Sequence, residues 1–169
     1  MSSLKMHIVD DNDNLLAYKE KSQIDFSREI YRVSALWLTN TKGDILIAQR
    51  KISKDYDGGK WGPAVAGTVE EGETYEENIY KEAKEEIGLE GIQFVVGPKQ
   101  QFTSPKHYFC QWYTARVDVP ETEFVLQPEE VEAVVWISPQ QLSQEILEYP
   151  DKYIADMPAI TKLFLGQKS

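Results

Sequence analysis

Cysteine is almost absent. Cys110 stands alone among 169 residues, so no intramolecular disulfide can staple the fold. It lies in "HYFCQWYTA", whose apolar character makes it a buried strand residue, and only His7 and His107 are available to activate it as a nucleophile. Long apolar runs are missing too. No stretch approaches the ~20 residues of a membrane span, and Met1-Ser-Ser-Leu-Lys lacks the apolar core of a signal peptide, so the expected location is cytoplasmic, away from membranes. Basic residues are few, 18 against 28 acidic ones, for a formal charge of -10. A nucleic-acid polymer is held by clustered Lys and Arg, and no such footprint is present.

What the chain has instead is acid in one place. Between Glu70 and Glu90 stand nine glutamates (Glu70, Glu71, Glu73, Glu76, Glu77, Glu82, Glu85, Glu86, Glu90) against Lys81 and Lys84, which puts seven of the ten net negative charges in 21 residues. At 41% hydrophobic and 27% charged, the whole of 1–169 reads as one globular domain.

Along the chain, "MHIV" and "LLAY" flank Asp10-Asp11-Asn12-Asp13-Asn14 and predict an N-terminal hairpin within residues 1–27. The acidic turn lacks the glycine and glutamate of a calcium loop, since Leu15 and Lys21 stand there. "RVSALWLTN" and "DILIAQR" predict a second hairpin, followed by the polar loop "KISKDYDGGKWGP". "FVVG", "QQFTS", "HYFCQWYTARVDV" and "EAVVWIS" read as further strands, with helices from Pro139 to Leu147 and around Pro158. The fold class is mixed α/β, sheet and helices in layers.

Thr74 and Glu77 form a capping box and Gly88 supplies a left-handed stop, which predicts a helix over Tyr75–Ile87. At about 3.6 residues per turn, Glu82, Glu85 and Glu86 share one face. Acidic surface helices are common, but their charges are usually interleaved with cations, and here that pattern is weak. A divalent cation would turn the mutual repulsion into attraction, and such dense oxygen ligands suit Mg2+ or Mn2+.

The spacing Gly67, Glu73, Lys81-Glu82-Ala83, Glu85-Glu86, Gly88-Leu89 resembles the Nudix box over residues 67–89 and matches eight of its nine positions. The family's Arg is replaced by Lys81. The resemblance implies a Nudix α/β/α sandwich with a mixed β-sheet, and hydrolysis of a diphosphate joined to another group X with Mg2+ or Mn2+ as cofactor. Glu82, Glu85 and Glu86 match the metal-binding positions, with Glu82, Glu85 or a later glutamate as catalytic base. Of Glu129, Glu130 and Glu132, Glu130 is favoured for that role. Gly67, Glu73, Lys81 and Gly88 are then structural positions of the box.

Arg50 and Lys60 are candidates to hold phosphates, and Trp61 and Tyr108 to stack on a base, although strand aromatics also build cores. The expected partner is a small-molecule diphosphate, and the chain acts as a monomer or homodimer. The layout is also similar to the isopentenyl diphosphate isomerase branch, but Ala66 and Thr68 stand where that branch has its cysteine and histidine, and Lys106-His107-Tyr108 where it has its glutamate. A binding-only module is the third reading, and all the box glutamates it would have lost are present.

Overall fold

The computed structural model describes residues 3–166, so the two residues before and three after lie outside the account. The order is β1 (Lys5–Val9), β2 (Leu15–Glu20), β3 (Ile30–Thr39), β4 (Ile45–Arg50), β5 (Trp61–Pro63), β6 (Val65–Thr68), α1 (Tyr75–Ile87), β7 (Val95–Phe102), β8 (Tyr108–Arg116), β9 (Val131–Ile137), α2 (Pro139–Glu148) and α3 (Met157–Leu165). All nine strands join one open, mixed sheet, parallel between β3 and β8 and antiparallel elsewhere.

β3 organises the layers because successive side chains of a strand point to opposite faces. Leu36 and Leu38 pack with Ile79, Ala83 and Ile87 of α1. Their neighbours Ala35 and Trp37 pack on the other face with Leu142 and Ile146 of α2 and Met157 and Ile160 of α3. With both faces covered, the strand is buried along most of its length, which is why "ALWL" reads as a continuous apolar run. The result is the three-layer α/β/α sandwich.

The N-terminal hairpin extends this sheet through Ile8 and Val9 of β1, which pair with Tyr31 and Ile30. Its turn is closed by Asp10, whose carboxylate accepts from the N–H groups of Asn12 and Asn14, both at 2.9 Å. Asp13, in the left-handed region at φ 61°, turns inward instead. It accepts from Arg32 Nε at 2.7 Å, Lys99 Nζ at 2.6 Å and the Tyr75 hydroxyl at 3.0 Å. Arg32 continues to His7 Nδ1 at 3.0 Å, and His7 Nε2 donates to the Glu70 carbonyl at 2.8 Å. A polar chain thus ties the hairpin to the entry of the acidic helix.

Two expectations change in detail. "FVVG" and "QQFTS" belong to one strand, β7, which keeps its continuity across a register shift between Val96 and Lys99. Pro98 sits in that shift on a strand paired only with β8, where its missing N–H leaves no gap in a ladder. The polar loop ends early, because Trp61–Pro63 pairs with Ile47–Gln49. Three residues beside two glycines are too short to show a period-two pattern.

Candidate active site

α1 begins and ends where its caps dictate. Thr74 accepts from the Glu77 N–H at 3.1 Å, Glu77 accepts from the Thr74 N–H at 2.8 Å, and Gly88 closes the helix at φ 67°. Its buried residues, Asn78, Ile79, Ala83 and Ile87, fix the rotation of the helix on the sheet. That rotation sends Glu82, Glu85 and Glu86 into an open cleft of 720 Å³. Glu129 and Glu130 enter the same cleft from the turn before β9. The turn is fastened to the helix end, since the Gln127 N–H donates to the Glu86 carbonyl at 2.9 Å and the Val125 N–H to that of Ile87 at 3.2 Å.

Gly67 explains how the helix comes so near. A Cβ at this position would stand 2.3 Å from Cγ of Glu82, so any side chain there would push the carboxylate away. Packed over this glycine, Glu82 has its pKa raised to about 7, by burial first and then by Glu85, Glu70 and Glu73, against the opposing charge of Lys81. Glu86 is pushed well above the usual carboxylate range by burial and by the charges of Glu82 and Glu130, which outweigh the Ala66 backbone N–H and Arg50. For both carboxylates the positive charge nearby, Lys81 for Glu82 and Arg50 for Glu86, is outweighed by burial and neighbouring carboxylates.

Lys81 stands at the centre of the box. Its ammonium pairs with Glu73, reaches Glu70 Oε2 at 3.1 Å and lies 3.7 Å from Glu82 Oε1. Glu73 also accepts from the Glu70 N–H at 3.0 Å and from Asn78 Nδ2 at 2.9 Å. Burial raises the Glu73 pKa, but these donors, led by Lys81, bring it below its ordinary value. Glu73 is thereby committed to holding the loop and Lys81 in place.

The other sequence-expected residues divide. Arg50 lines the cleft, with Nε donating to the Tyr56 carbonyl at 3.1 Å. Tyr108 lines it too, and its hydroxyl donates to Asp156 Oδ2 at 2.5 Å. Lys60 and Trp61 are not brought to the cleft. Lys60 lies 3.6 Å from Asp57, and Trp61 is on β5, packed against the core under α2 and α3. Lys54 reaches Glu130 Oε2 at 2.5 Å, whereas Glu132 pairs with Lys51 at 3.1 Å outside the cleft. Phe26, Tyr31, Lys106 and Asp156 also line the cleft and carried no local motif to mark them.

Among the described residues, no three His, Cys, Asp or Glu side chains converge on a single point as a ready metal cage. The donor chemistry nevertheless fits a hard cation, with six glutamates around one cleft and two of them held against ionisation by neighbouring carboxylates and by burial. Mg2+ keeps several of its waters and commonly takes only one or two protein carboxylates, so a closed cage is not required.

Comparison with known proteins agrees with this geometry. Residues 29–157 match the NUDIX domain. An uncharacterized Nudix hydrolase of Yersinia pestis is 32% identical over 145 residues, covering 85% of this chain and 79% of that one. A solved protein from Deinococcus radiodurans shares the fold with a TM-score of 0.83 at 22% identity, over 95% of this chain and 99% of its own. The dihydroneopterin triphosphate pyrophosphohydrolase of Escherichia coli shares it with a TM-score of 0.57 at 16% identity, over 79% of this chain and 93% of its own. The chain belongs to the Nudix family and is a Nudix-type diphosphate hydrolase.

Proposed function

We propose that the enzyme hydrolyses a diphosphate bond in a nucleoside diphosphate linked to a further group X, with Mg2+ or Mn2+ held by Glu82, Glu85 and Glu86. The observation that carries this is geometric: α1 turns Glu82, Glu85 and Glu86 into one cleft that Glu130 also lines, where burial and neighbouring carboxylates disfavour the charges of Glu82 and Glu86. A bound divalent ion supplies the positive charge that offsets phosphate oxygens and makes water easier to deprotonate.

The chain's own groups do the rest. Arg50 reaches the cleft from the end of β4 and offers planar donors to phosphate oxygens. Glu130 faces Glu86 across the cleft, is steered by Lys54, and is the proposed acceptor of the proton from the attacking water. Lys81 on α1 and Glu73 in the loop before it tie that loop to the helix beside Glu82. Ala66 and Thr68 line the cleft without a titratable acid or base, and Cys110 is buried within the core, which supports hydrolysis over isomerisation.

The test is phosphate release from a panel of nucleoside di- and triphosphates, ADP-ribose and isopentenyl diphosphate, each with Mg2+ and with EDTA. Turnover of at least one nucleotide that EDTA abolishes is the expected result. Turnover that survives full chelation would refute the metal role, and inactivity on the whole panel would refute the substrate class.

A further inference from the structure

The end of the cleft away from the helix is built differently. Tyr31 and Tyr108 lie 5.4 Å apart at 32°, Tyr108 stacks on Phe102 at 4.7 Å, and Phe26 meets Tyr31 edge-on at 5.5 Å. Beside this aromatic wall is Asp156, which lines the same cleft.

Asp156 is an unusual aspartate for its position. It is the N-cap of α3, where an aspartate ordinarily accepts a hydrogen bond from a free N–H of the first turn, yet its side chain makes no capping bond. Tyr108 holds Oδ2 instead, and among the described residues this is the side chain's one hydrogen bond. Among the described residues no Lys or Arg forms an ion pair with it: Lys106 lines the same cleft but lies over the Phe26 and Tyr56 rings, and the charged group that acts on Asp156 is a second carboxylate, Asp57. Half-buried carboxylates are costly unless donors satisfy them, so a cleft-lining carboxylate with a single hydrogen bond marks a place for a ligand's donors.

Resting on the hydrolase reading above, we propose that Asp156, aimed by Tyr108, is the specificity residue for the substrate's nucleoside end and selects a nucleobase that carries an exocyclic amino group. The half-buried edges of Phe26 and Tyr108 offer apolar contact to the ring. The carboxylate accepts from the amino group, and together with Asp57 it repels a phosphate or sugar acid at the same end. The cleft volume of 720 Å³ falls in the range that holds a nucleotide-sized ligand. A polar site of this kind discriminates strongly, because a base without the donor leaves the buried acceptor unpaired.

The test uses two pairs of substrates that differ at an amino group: guanosine against inosine diphosphate, and cytidine against uridine diphosphate. kcat/KM is measured for the parent and for Asp156→Asn, which keeps the shape and the oxygen that Tyr108 contacts, with melting temperature as the check on folding. Dissociation constants of the matching monophosphates, measured calorimetrically in EDTA, give a readout independent of hydrolysis. The parent is expected to favour the amino member of each pair by tenfold or more in both readouts, and Asp156→Asn to bring both ratios toward one. Tyr108→Phe, which removes the hydroxyl that aims Asp156, is expected to weaken the preference in the same direction. Equal use of both members by the parent, or ratios unchanged in folded Asp156→Asn, would overturn the proposal. Metal-dependent turnover indifferent to the base would sink this inference and leave the hydrolase reading standing. Selective monophosphate binding with no hydrolysis on the panel would do the reverse.

Discussion

Glu82 gives a stability prediction whose size can be worked from the structure. Its side chain is 16% exposed, and its pKa rises from an ordinary 4.5 to about 7. A carboxyl whose pKa is raised by folding favours the folded state when protonated. That contribution is complete below pH 4.5 and is lost as the pH climbs through 7. At about 1.4 kcal/mol per pH unit of difference, the loss is ~3 kcal/mol as a ceiling, since water penetration relaxes part of it. Glu86 acts with the same sign, in a window that opens at its ordinary 4.5 and extends well above it.

Glu82→Gln cannot ionise and escapes this loss. In EDTA at pH 8 it should melt above the parent by roughly 2–4 °C for each kcal/mol recovered, so by up to about 6–12 °C at the ceiling, and by much less at pH 5. Carboxylates with lowered pKa, such as Glu145 at about 2, lose their contribution only in acid and stay constant between pH 5 and 8.5. Mg2+ should raise the parent at pH 8 and close the gap. The assay is scanning fluorimetry of both proteins from pH 5 to 8.5, with EDTA and with Mg2+. Parallel curves at every pH, or a less stable Glu82→Gln at pH 8, would refute the burial argument.

Three further substitutions follow from the geometry. Lys81→Arg should keep turnover within a few-fold or raise it, because the guanidinium can satisfy Glu70 and Glu73 together; loss of turnover in a folded variant would give this lysine a role of its own. Gly67→Ala should displace Glu82 and cut kcat/KM by at least tenfold, with ~1–3 kcal/mol of destabilisation in urea unfolding, and unchanged kinetics would mean that Glu82 need not lie over the glycine. Asp13→Ala strips Arg32, Lys99 and Tyr75 of a carboxylate that is 9% exposed, and should cost about 3 kcal/mol in urea unfolding, whereas a loss under 1 kcal/mol would show that the hairpin is not latched through it.

How far the sequence reaches depends on the distance between the residues concerned. The limits of α1 were legible because both caps are local: Thr74 reads with Glu77, and Gly88 marks its own stop. The shared face of Glu82, Glu85 and Glu86 follows from helical geometry alone. Strands β3 and β4 announced themselves by apolar runs, and α3 by Pro158 in its first turn. β5, three residues long, gave no period to read. Contacts set by packing were hidden as well. Nothing near Gly67 says that Glu82 will lie on it, and nothing near Asp156 says that Tyr108, 48 positions away, will draw it off its helix cap. Trp61 illustrates the opposite error of expectation, an aromatic beside a functional loop that the sheet turns into the core.

The central claim is that the acidic face holds a metal and is more than a solvated surface. Two substitutions that remove the same charge decide it. Glu86 lies in the cleft between Glu82 and Glu130, whereas Glu76 is exposed in the first turn of α1, where its charge favours the helix terminus by about 0.3–1 kcal/mol. Initial rates are measured against Mg2+ concentration for Glu86→Gln, Glu76→Gln and the parent, on whichever nucleotide the panel identifies. Glu86→Gln is expected to lower turnover by roughly a hundredfold or more and to shift the Mg2+ dependence upward, with Glu76→Gln within a few-fold of the parent. Equal rates and equal Mg2+ dependence for the two variants would return the acidic face to solvent and contradict the account.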